Sequence, residues 1–318
     1  GGGGGDDPDN GFGSGTTGTP LTGVLWHDAL INERVDGFRV SELSGAPTQV
    51  LNEVETAVPS PDGSHYVTFE YDLRDDFSTI SLYARDGRIL KRATLDGYLR
   101  RVRPSPLRAE QMIGLWAPSA GGVDSDQREW LLLDFSTTTI VQRYPGIDAA
   151  ADWLPDGRVL HIAADGAIRI GTPALAGTPI GYIRVEGREV DRVWVSPAGD
   201  RMITHWDLPW AEGGGTRSTD LWISAIDGNG LEQLTRTGMT TYGLWSPDGK
   251  AFGFDYDIGA TCTTAGCSGS PIGGCELYWA PSSARGVDLS TAGLQRFTVT
   301  DADGKRGILG CNLLGWTP

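Results

Sequence analysis

Two histidines and several aspartates recur at the same distance from a turn motif, and they are the side chains best suited to chemistry. They follow an anchoring proline by about ten residues, or hold the matching place in a first unit that lacks the proline. The positions are His27, Asp28, Asp72, Asp165, His205, Asp207 and Asp257. A rim of carboxylates could hold a hard cation such as Ca²⁺ or a cationic ligand, and imidazoles could serve as acid/base groups. Aspartate can equally open the next loop by accepting its backbone N–H groups, so both interpretations stay open.

Known catalytic motifs are absent from the sequence. There is no His-x-His, His-Glu-x-x-His or Gly-x-Ser-x-Gly element, so neither a zinc hydrolase nor a serine hydrolase is indicated. The segment Asp301-Ala302-Asp303-Gly304 is similar to the start of a calcium loop, but the later Glu is missing, and it predicts a hairpin turn. We therefore expect no cofactor, apart from a cation at the acidic rim.

The motif Trp245-Ser246-Pro247-Asp248-Gly249-Lys250 recurs in weaker form along the chain and marks the structural units that would position these residues. Pro fixes φ at the first turn position, while Asp and Gly tolerate the positions that follow, so the motif suits a tight connection between two strands. Echoes occur at Pro61, Pro106, Pro155 and Pro197, at intervals of about 45 residues. Each turn separates short apolar runs, and further turns complete a unit of four strands. This pattern predicts an all-β chain of repeated units.

The two ends of the chain complement each other. Residues 23–51 supply the second, third and fourth strands of a unit whose first strand is missing there. Residues 312–318 supply a first strand without the other three, with Trp-Thr-Pro in place of Trp-Ser-Pro. Pairing them closes a ring. The sequence predicts a six-bladed β-propeller of four-stranded antiparallel blades over residues 21–318, preceded by a flexible Gly/Asp/Ser/Thr-rich tether over residues 1–20.

The repeated Trp-Ser-Pro-Asp-Gly-Lys motif resembles the TolB-type propeller repeat. That repeat is found in six-bladed bacterial envelope proteins and in the propeller domains of prolyl oligopeptidase relatives, and here it covers roughly residues 21–318. The N-terminal α/β domain of TolB and the hydrolase domain of the oligopeptidases have no counterpart in the sequence. The resemblance therefore implies the propeller and leaves the function open.

Composition limits the classes of binding partner and the cellular compartments that are consistent with the sequence. A net charge of −15, from 41 acidic and 26 basic residues, disfavours nucleic acid, which is bound mainly through Lys and Arg. No apolar run approaches the length of a membrane span. The four cysteines fit no zinc spacing, and pairing Cys262 with Cys267 and Cys275 with Cys311 would suit an oxidising compartment. The Gly-rich start is similar to the segment after the lipidated cysteine of bacterial lipoproteins, although a linker is an equal explanation.

Two functions are consistent with these features. The favoured hypothesis is a non-catalytic scaffold of the cell envelope or cell surface, periplasmic or extracellular, that is tethered to a bacterial outer membrane. Its loop face would bind another protein or an envelope component. The alternative is a lyase or hydrolase acting on carbohydrate or peptide at the central channel, with His27, His205 and the rim aspartates as its chemical groups.

Overall fold

The computed structural model is built from short β-strands arranged as a ring of six blades. It describes residues 21–28, 31, 38–52, 57–120, 127–137, 139–144, 148–171, 178–208, 218–257 and 275–318. The predicted tether and the predicted Cys262–Cys267 pair lie outside these residues. No helix within the described ranges is long and apolar enough to cross a membrane.

Each blade is a four-stranded antiparallel sheet, and the first strand of each lies innermost in the ring. Blade one contains β4 (Ala57–Pro59), β5 (His65–Asp72), β6 (Phe77–Ala84) and β7 (Ile89–Asp96). Blade two contains β8 (Tyr98–Pro104), β9 (Gln111–Ala117), β10 (Glu129–Asp134) and β11 (Thr139–Tyr144). Blade three contains β12 (Asp148–Trp153), β13 (Val159–Ala163), β14 (Ala167–Gly171) and β15 (Gly181–Tyr182).

The remaining blades follow the same order, and the last one joins both ends of the chain. Blade four contains β16 (Glu189–Val195), β17 (Arg201–Asp207), β18 (Thr219–Ala225) and β19 (Glu232–Gln233). Blade five contains β20 (Gly243–Trp245), β21 (Ala251–Asp257), β22 (Cys275–Pro281) and β23 (Gln295–Arg296). Blade six contains β26 (Leu313–Thr317), β1 (Val24–His27), β2 (Phe38–Glu42) and β3 (Gln49–Asn52). The predicted fold class and ring closure are confirmed.

Closure of the ring is held by side chains as well as by the strand ladder. β26 pairs antiparallel with β1, and Val24 lies opposite Thr317. The Trp26 indole donates to Thr317 Oγ1 at 2.9 Å, and the Trp316 indole donates to the Thr22 carbonyl at 3.0 Å. Gly315 lies so close to blade one that an added Cβ would come within 2.2 Å of Pro59. The last strand therefore fits both its own blade and the next one.

One hairpin stands outside the six blades. β24 (Thr298–Thr300) and β25 (Arg306–Ile308) form a two-stranded sheet between blades five and six. The Asp301 carboxylate accepts the backbone N–H groups of Asp303 and Lys305 at 3.0 and 2.9 Å. The predicted hairpin turn at this segment is thus present.

The predicted disulfide between blades five and six is confirmed. Cys275, at the start of β22, is bonded to Cys311, just before β26, and their Cα atoms are 5.4 Å apart. The bond ties a middle strand of blade five to the connection that leads into the closing strand of blade six. It therefore reinforces the point where the ring is sealed.

Candidate functional site

The Ser-Pro-Asp-Gly turns are built by local hydrogen bonds. In blade five, Ser246 Oγ donates to Asp248 Oδ1 at 2.6 Å, and Asp248 Oδ1 also accepts Lys250 N–H at 3.0 Å. Gly249 adopts a φ of 71°, which a side chain would strain, and donates to the Ser246 carbonyl at 2.9 Å. Blade one repeats this arrangement at its own Ser-Pro-Asp-Gly turn. The motif is therefore a structural turn, as the sequence predicts.

The tryptophan that precedes some of these turns joins neighbouring blades. The Trp245 indole donates to the Trp194 carbonyl of blade four at 2.8 Å. The Trp153 indole donates to the Arg103 carbonyl of blade two, also at 2.8 Å. In both cases the acceptor lies on the inner strand of the preceding blade. The tryptophan of the motif thus couples blade five to blade four and blade three to blade two.

The predicted rim residues lie at the ends of second strands, on the face opposite these turns, and two of them cap loops. Asp72 Oδ1 accepts Arg74 N–H at 2.8 Å and Asp75 N–H at 3.1 Å. Asp165 Oδ1 accepts Ala167 N–H at 3.0 Å. These contacts are the ones expected if aspartate opens a loop.

The two predicted histidines lie in different blades and bond to groups of their own blade. His27 is fully buried in blade six and is hydrogen-bonded through Nε2 to Ser41 Oγ at 2.7 Å. His205 in blade four contacts Asp191 through Nδ1 and Thr219 through Nε2. Each imidazole thereby links strands within one blade.

Two groups of potential metal ligands include predicted rim residues. Oxygen and nitrogen atoms of Asp191, His205 and Asp207 lie within 4.8 Å of one another, but both nitrogens of His205 already have partners. Asp255, Asp257 and Cys275 form a second group, in which the sulfur belongs to the disulfide. The predicted cation at the rim stays a prediction. Asp28 adds no ligand to either group.

A cavity of about 750 Å³ opens on the other face, at the Ser-Pro turns around the central channel. Its lining follows a simple register along the inner strands. One set of lining residues, here named the upper ring, lies three positions before the turn proline of each blade. The upper ring consists of Val58, Arg103, Asp152, Trp194, Leu244 and Gly315.

A second set of lining residues lies two positions further from the turns. Here named the lower ring, it consists of Arg101 of blade two, Arg192 of blade four and Tyr242 of blade five. In blade three the same position is the buried Ala150. Strand alternation places Arg192 on the same side of β16 as Trp194, whereas a β-bulge places Arg101. Basic and aromatic side chains therefore converge in the channel of an acidic protein.

β-Bulges in two inner strands help to direct charge into the channel. The register of β8 with β9 shifts between Arg100 and Arg103, and Arg101 has a φ of 52°. The register of β16 with β17 shifts between Val190 and Arg192, where Asp191 is the extra residue. Bulges re-aim the side chains beside them. Strand alternation alone does not reveal such residues.

Arg101 and Arg103 reach from blade two to blade four, past blade three. Arg101 Nη1 donates to the Asp191 carbonyl at 2.7 Å, and its Nη2 lies 3.7 Å from Asp191 Oδ2. Arg103 Nη1 donates to the Val193 carbonyl and lies 2.9 Å from Asp152 Oδ1. The Arg103 guanidinium also stacks over the Trp194 ring, 5.6 Å from its centroid. These contacts brace three blades through the channel.

The electrostatics of the lower ring reflect burial and crowding of positive charge. Burial, reinforced by repulsion from Arg192, lowers the pKa of Arg101 to about 9. Burial alone would raise the pKa of Asp191, but His205 together with Arg101 and Arg192 holds it at about 2. Burial raises the pKa of Tyr242 to about 12, so its hydroxyl stays protonated at neutral pH. The ring therefore presents guanidinium groups beside a neutral hydrogen-bond donor.

Sequence reasoning missed this cavity, although a signal for it was present. Reading three and five residues before each turn proline identifies Arg101, Arg103, Asp152, Arg192 and Tyr242. The sequence interpretation instead followed the chain downstream of the proline, to the opposite face.

Comparison with known proteins adds fold-level likeness only. No family model matches the chain, and no curated protein matches it. Among solved structures, the β-propeller domain of Cps50 (Swd1) from Myceliophteria thermophila is 13% identical, with a TM-score of 0.48, over 92% of this chain and 97% of that one. A protein of Agrobacterium tumefaciens provisionally assigned as TolB is 18% identical, with a TM-score of 0.46, over 72% of this chain and 86% of that one. Hydrazine synthase of Kuenenia stuttgartiensis is 15% identical, with a TM-score of 0.45, over 82% and 67% of the two chains.

Proposed function

We propose that the protein is a non-catalytic recognition scaffold that binds a segment of another protein at the Ser-Pro mouth of its central channel. The observation that carries the proposal is the 750 Å³ cavity, where side chains from all six blades meet. Its volume lies in the usual range for ligand pockets, which combine apolar walls with a few polar groups. Trp194, Leu244 and Val58 supply apolar wall, and the arginines supply the polar groups.

The compartment we propose is an oxidising one, either the periplasm or the cell exterior, with the chain acting at a cell envelope or surface. The Cys275–Cys311 bond supports this, because disulfides persist mainly outside the reducing cytosol. Tethering through the Gly-rich N-terminal segment, including an attached lipid, is part of the same proposal and rests on sequence composition alone.

Site-directed photo-crosslinking tests which face binds. A photoreactive amino acid is placed at the exposed Pro61 or Pro197, which line the mouth, and in matched variants at the exposed Leu73 or Leu208 on the opposite face. The variants are illuminated in cells of the native organism. Crosslinks to one discrete protein from the mouth positions, and not from the others, are expected. Crosslinks confined to Leu73 and Leu208 would contradict the proposal.

A further inference from the structure

The hydrogen bonds around the channel leave donors in excess of acceptors. Each of the two carboxylates in the cavity lining already has several donors. Asp152 accepts Trp153 N–H at 2.8 Å and Val195 N–H at 2.7 Å, besides its ion pair with Arg103. Asp62 accepts Ser60 Oγ at 2.7 Å and Ser64 N–H at 3.0 Å within its turn. Acidic groups of the lining are therefore occupied locally.

The arginines of the lower ring are in the opposite situation. The Nε atoms of Arg101 and Arg192 are buried and lack hydrogen-bond acceptors within the described part of the chain. Arg101 has carbonyl and carboxylate partners on Asp191 for its terminal nitrogens. For Arg192 the described residues provide neither a hydrogen bond nor an ion pair. The terminal nitrogens of Arg192 are not among the buried atoms, and Arg192 lines the cavity, so a ligand there can bring the acceptor that this guanidinium lacks.

Charge balance points the same way. The lining contains Arg101, Arg103 and Arg192 against the side-chain carboxylates of Asp62 and Asp152. Asp191 pairs with Arg101 and Asp152 pairs with Arg103, which leaves Arg192 as the lining arginine without an ion pair among the described residues. Arg101 and Arg192 repel each other, and an anion between them would relieve that repulsion. The Tyr242 hydroxyl lines the same level and can donate to an anion.

We propose that the lower ring, Arg101, Arg192 and Tyr242, binds a carboxylate of the partner segment, while the apolar part of that segment packs on Trp194 and Leu244 of the upper ring. A planar carboxylate matches the fork of a guanidinium. Trp194 follows Arg192 by two residues, and Leu244 follows Tyr242 by two residues, so both apolar side chains lie nearer the mouth than the lower ring. This inference rests on the proposed function and adds the chemical class of the ligand. The carboxylate is either a chain end or an acidic side chain next to an apolar residue.

The test uses small probes that differ in the presence and position of a negative charge and in apolar content. N-acetylphenylalanine carries a free carboxylate, and N-acetylphenylalaninamide is its neutral match. Acetyl-Asp-Phe-amide carries the charge on a side chain, and inorganic phosphate carries it without an apolar body. Binding of each probe to the full chain is measured by NMR titration. We expect the acid to bind at least tenfold more tightly than the amide. The dipeptide then decides whether a side-chain carboxylate is also accepted.

Variants assign the binding to the lower ring. Arg192→Gln should weaken binding of the acid about tenfold and leave binding of the amide unchanged, and Arg192→Lys should restore part of it. Arg92→Gln, on an outer strand of blade one, is the matched control and should have no effect. Circular dichroism and thermal melting confirm that each variant is folded.

The outcomes separate the two proposals. Equal affinity for acid and amide, stronger binding of phosphate than of the acid, or full binding by Arg192→Gln would overturn the carboxylate inference. Crosslinking from Pro61 and Pro197 would still support the scaffold in that case. Failure of crosslinking at the mouth, with the acid still bound through Arg192, would instead remove the protein partner and leave a small carboxylate as the ligand.

Discussion

Arg101 and Asp191 meet across the central channel although their blades are not neighbours. Arg101 Nη1 donates to the Asp191 carbonyl at 2.7 Å, and the Asp191 carboxylate contacts His205 on the next strand. Asp191 thus joins the channel to the hydrogen-bonded interior of blade four. Stability and ligand binding are expected to be linked through this pair.

Replacement of Asp191 should reduce stability in a pH-dependent manner. The folded-state pKa of about 2 lies below the ordinary value near 3.9, so the carboxylate contributes stability above about pH 4 that is lost as the pH falls towards 2. Since its side chain is 31% exposed, Asp191→Asn should lower the unfolding free energy at pH 7 by about 1 to 2 kcal/mol. Urea unfolding from pH 7 to pH 2 measures this. Asp86→Asn, in an exposed turn, is the control, and an acid dependence identical to wild type in Asp191→Asn would contradict the assignment.

Replacement of Asp255 should preserve stability at pH 7 and remove a gain in stability at lower pH. Burial raises the pKa of Asp255, although Thr241 and Tyr242 donate to it. Both backbone N–H groups go to Oδ1, which asparagine retains, so Asp255→Asn should leave the unfolding free energy at pH 7 unchanged or higher. A raised folded-state pKa means that wild type gains stability as the pH falls through it, and the variant should lose that gain. Urea unfolding of both proteins at a series of pH values from 8 down to 3 measures the change. A large loss of stability at pH 7 would show that the negative charge itself is needed.

Loss of the interblade indole bond should destabilise the ring modestly. Trp245→Phe keeps an aromatic ring but leaves the Trp194 carbonyl without its 2.8 Å donor, so we expect a loss of about 1 kcal/mol beyond the change in packing. Trp279→Phe on the outer part of the same blade is the matched control, because the described structure gives its indole no hydrogen bond. Chemical denaturation of both variants provides the comparison. Equal losses would show that packing alone accounts for Trp245.

The disulfide should stabilise the sealed ring. Cys275 and Cys311 are 36 residues apart, and removal of both by serine substitution should lower the unfolding free energy by about 2 to 4 kcal/mol. Thermal melts with and without reductant measure it, with Cys262→Ser/Cys267→Ser as the comparison pair. The predicted Cys262–Cys267 bond would close a far shorter segment, so removal of these two cysteines should cost less. A melting temperature that is insensitive to loss of Cys275 and Cys311 would contradict the role.

The repeat made the architecture predictable because Ser-Pro-Asp-Gly is a local device. Its hydrogen bonds lie within six residues, so Ser246 to Ala251 carries the whole turn in its own sequence. The pairing of β1 with β26 was predictable as well, because the first repeat unit lacks its first strand and the last unit supplies one. The sequence pattern does not distinguish the extra hairpin at residues 298–308 from the strands of blade five, because its strands are short and follow β23 directly.

The contacts made across the cavity could not be predicted by the same reasoning, although the repeat marks the positions of its lining residues. Arg101 and Asp191 are positioned by bulges, which strand alternation does not encode. Their contacts join residues about ninety positions apart, across a channel whose width depends on the assembled ring. Acidic residues recur at one point in the repeat, and loop capping accounts for two of them, Asp72 and Asp165.

A crystal structure of the protein grown with N-acetylphenylalanine tests the central claim most directly. The account predicts that the carboxylate lies between Arg192 and Tyr242, with the phenyl ring against Trp194 and Leu244 at the Ser-Pro mouth. Ligand bound instead on the opposite face, among His205, Asp207 and Asp257, would contradict it.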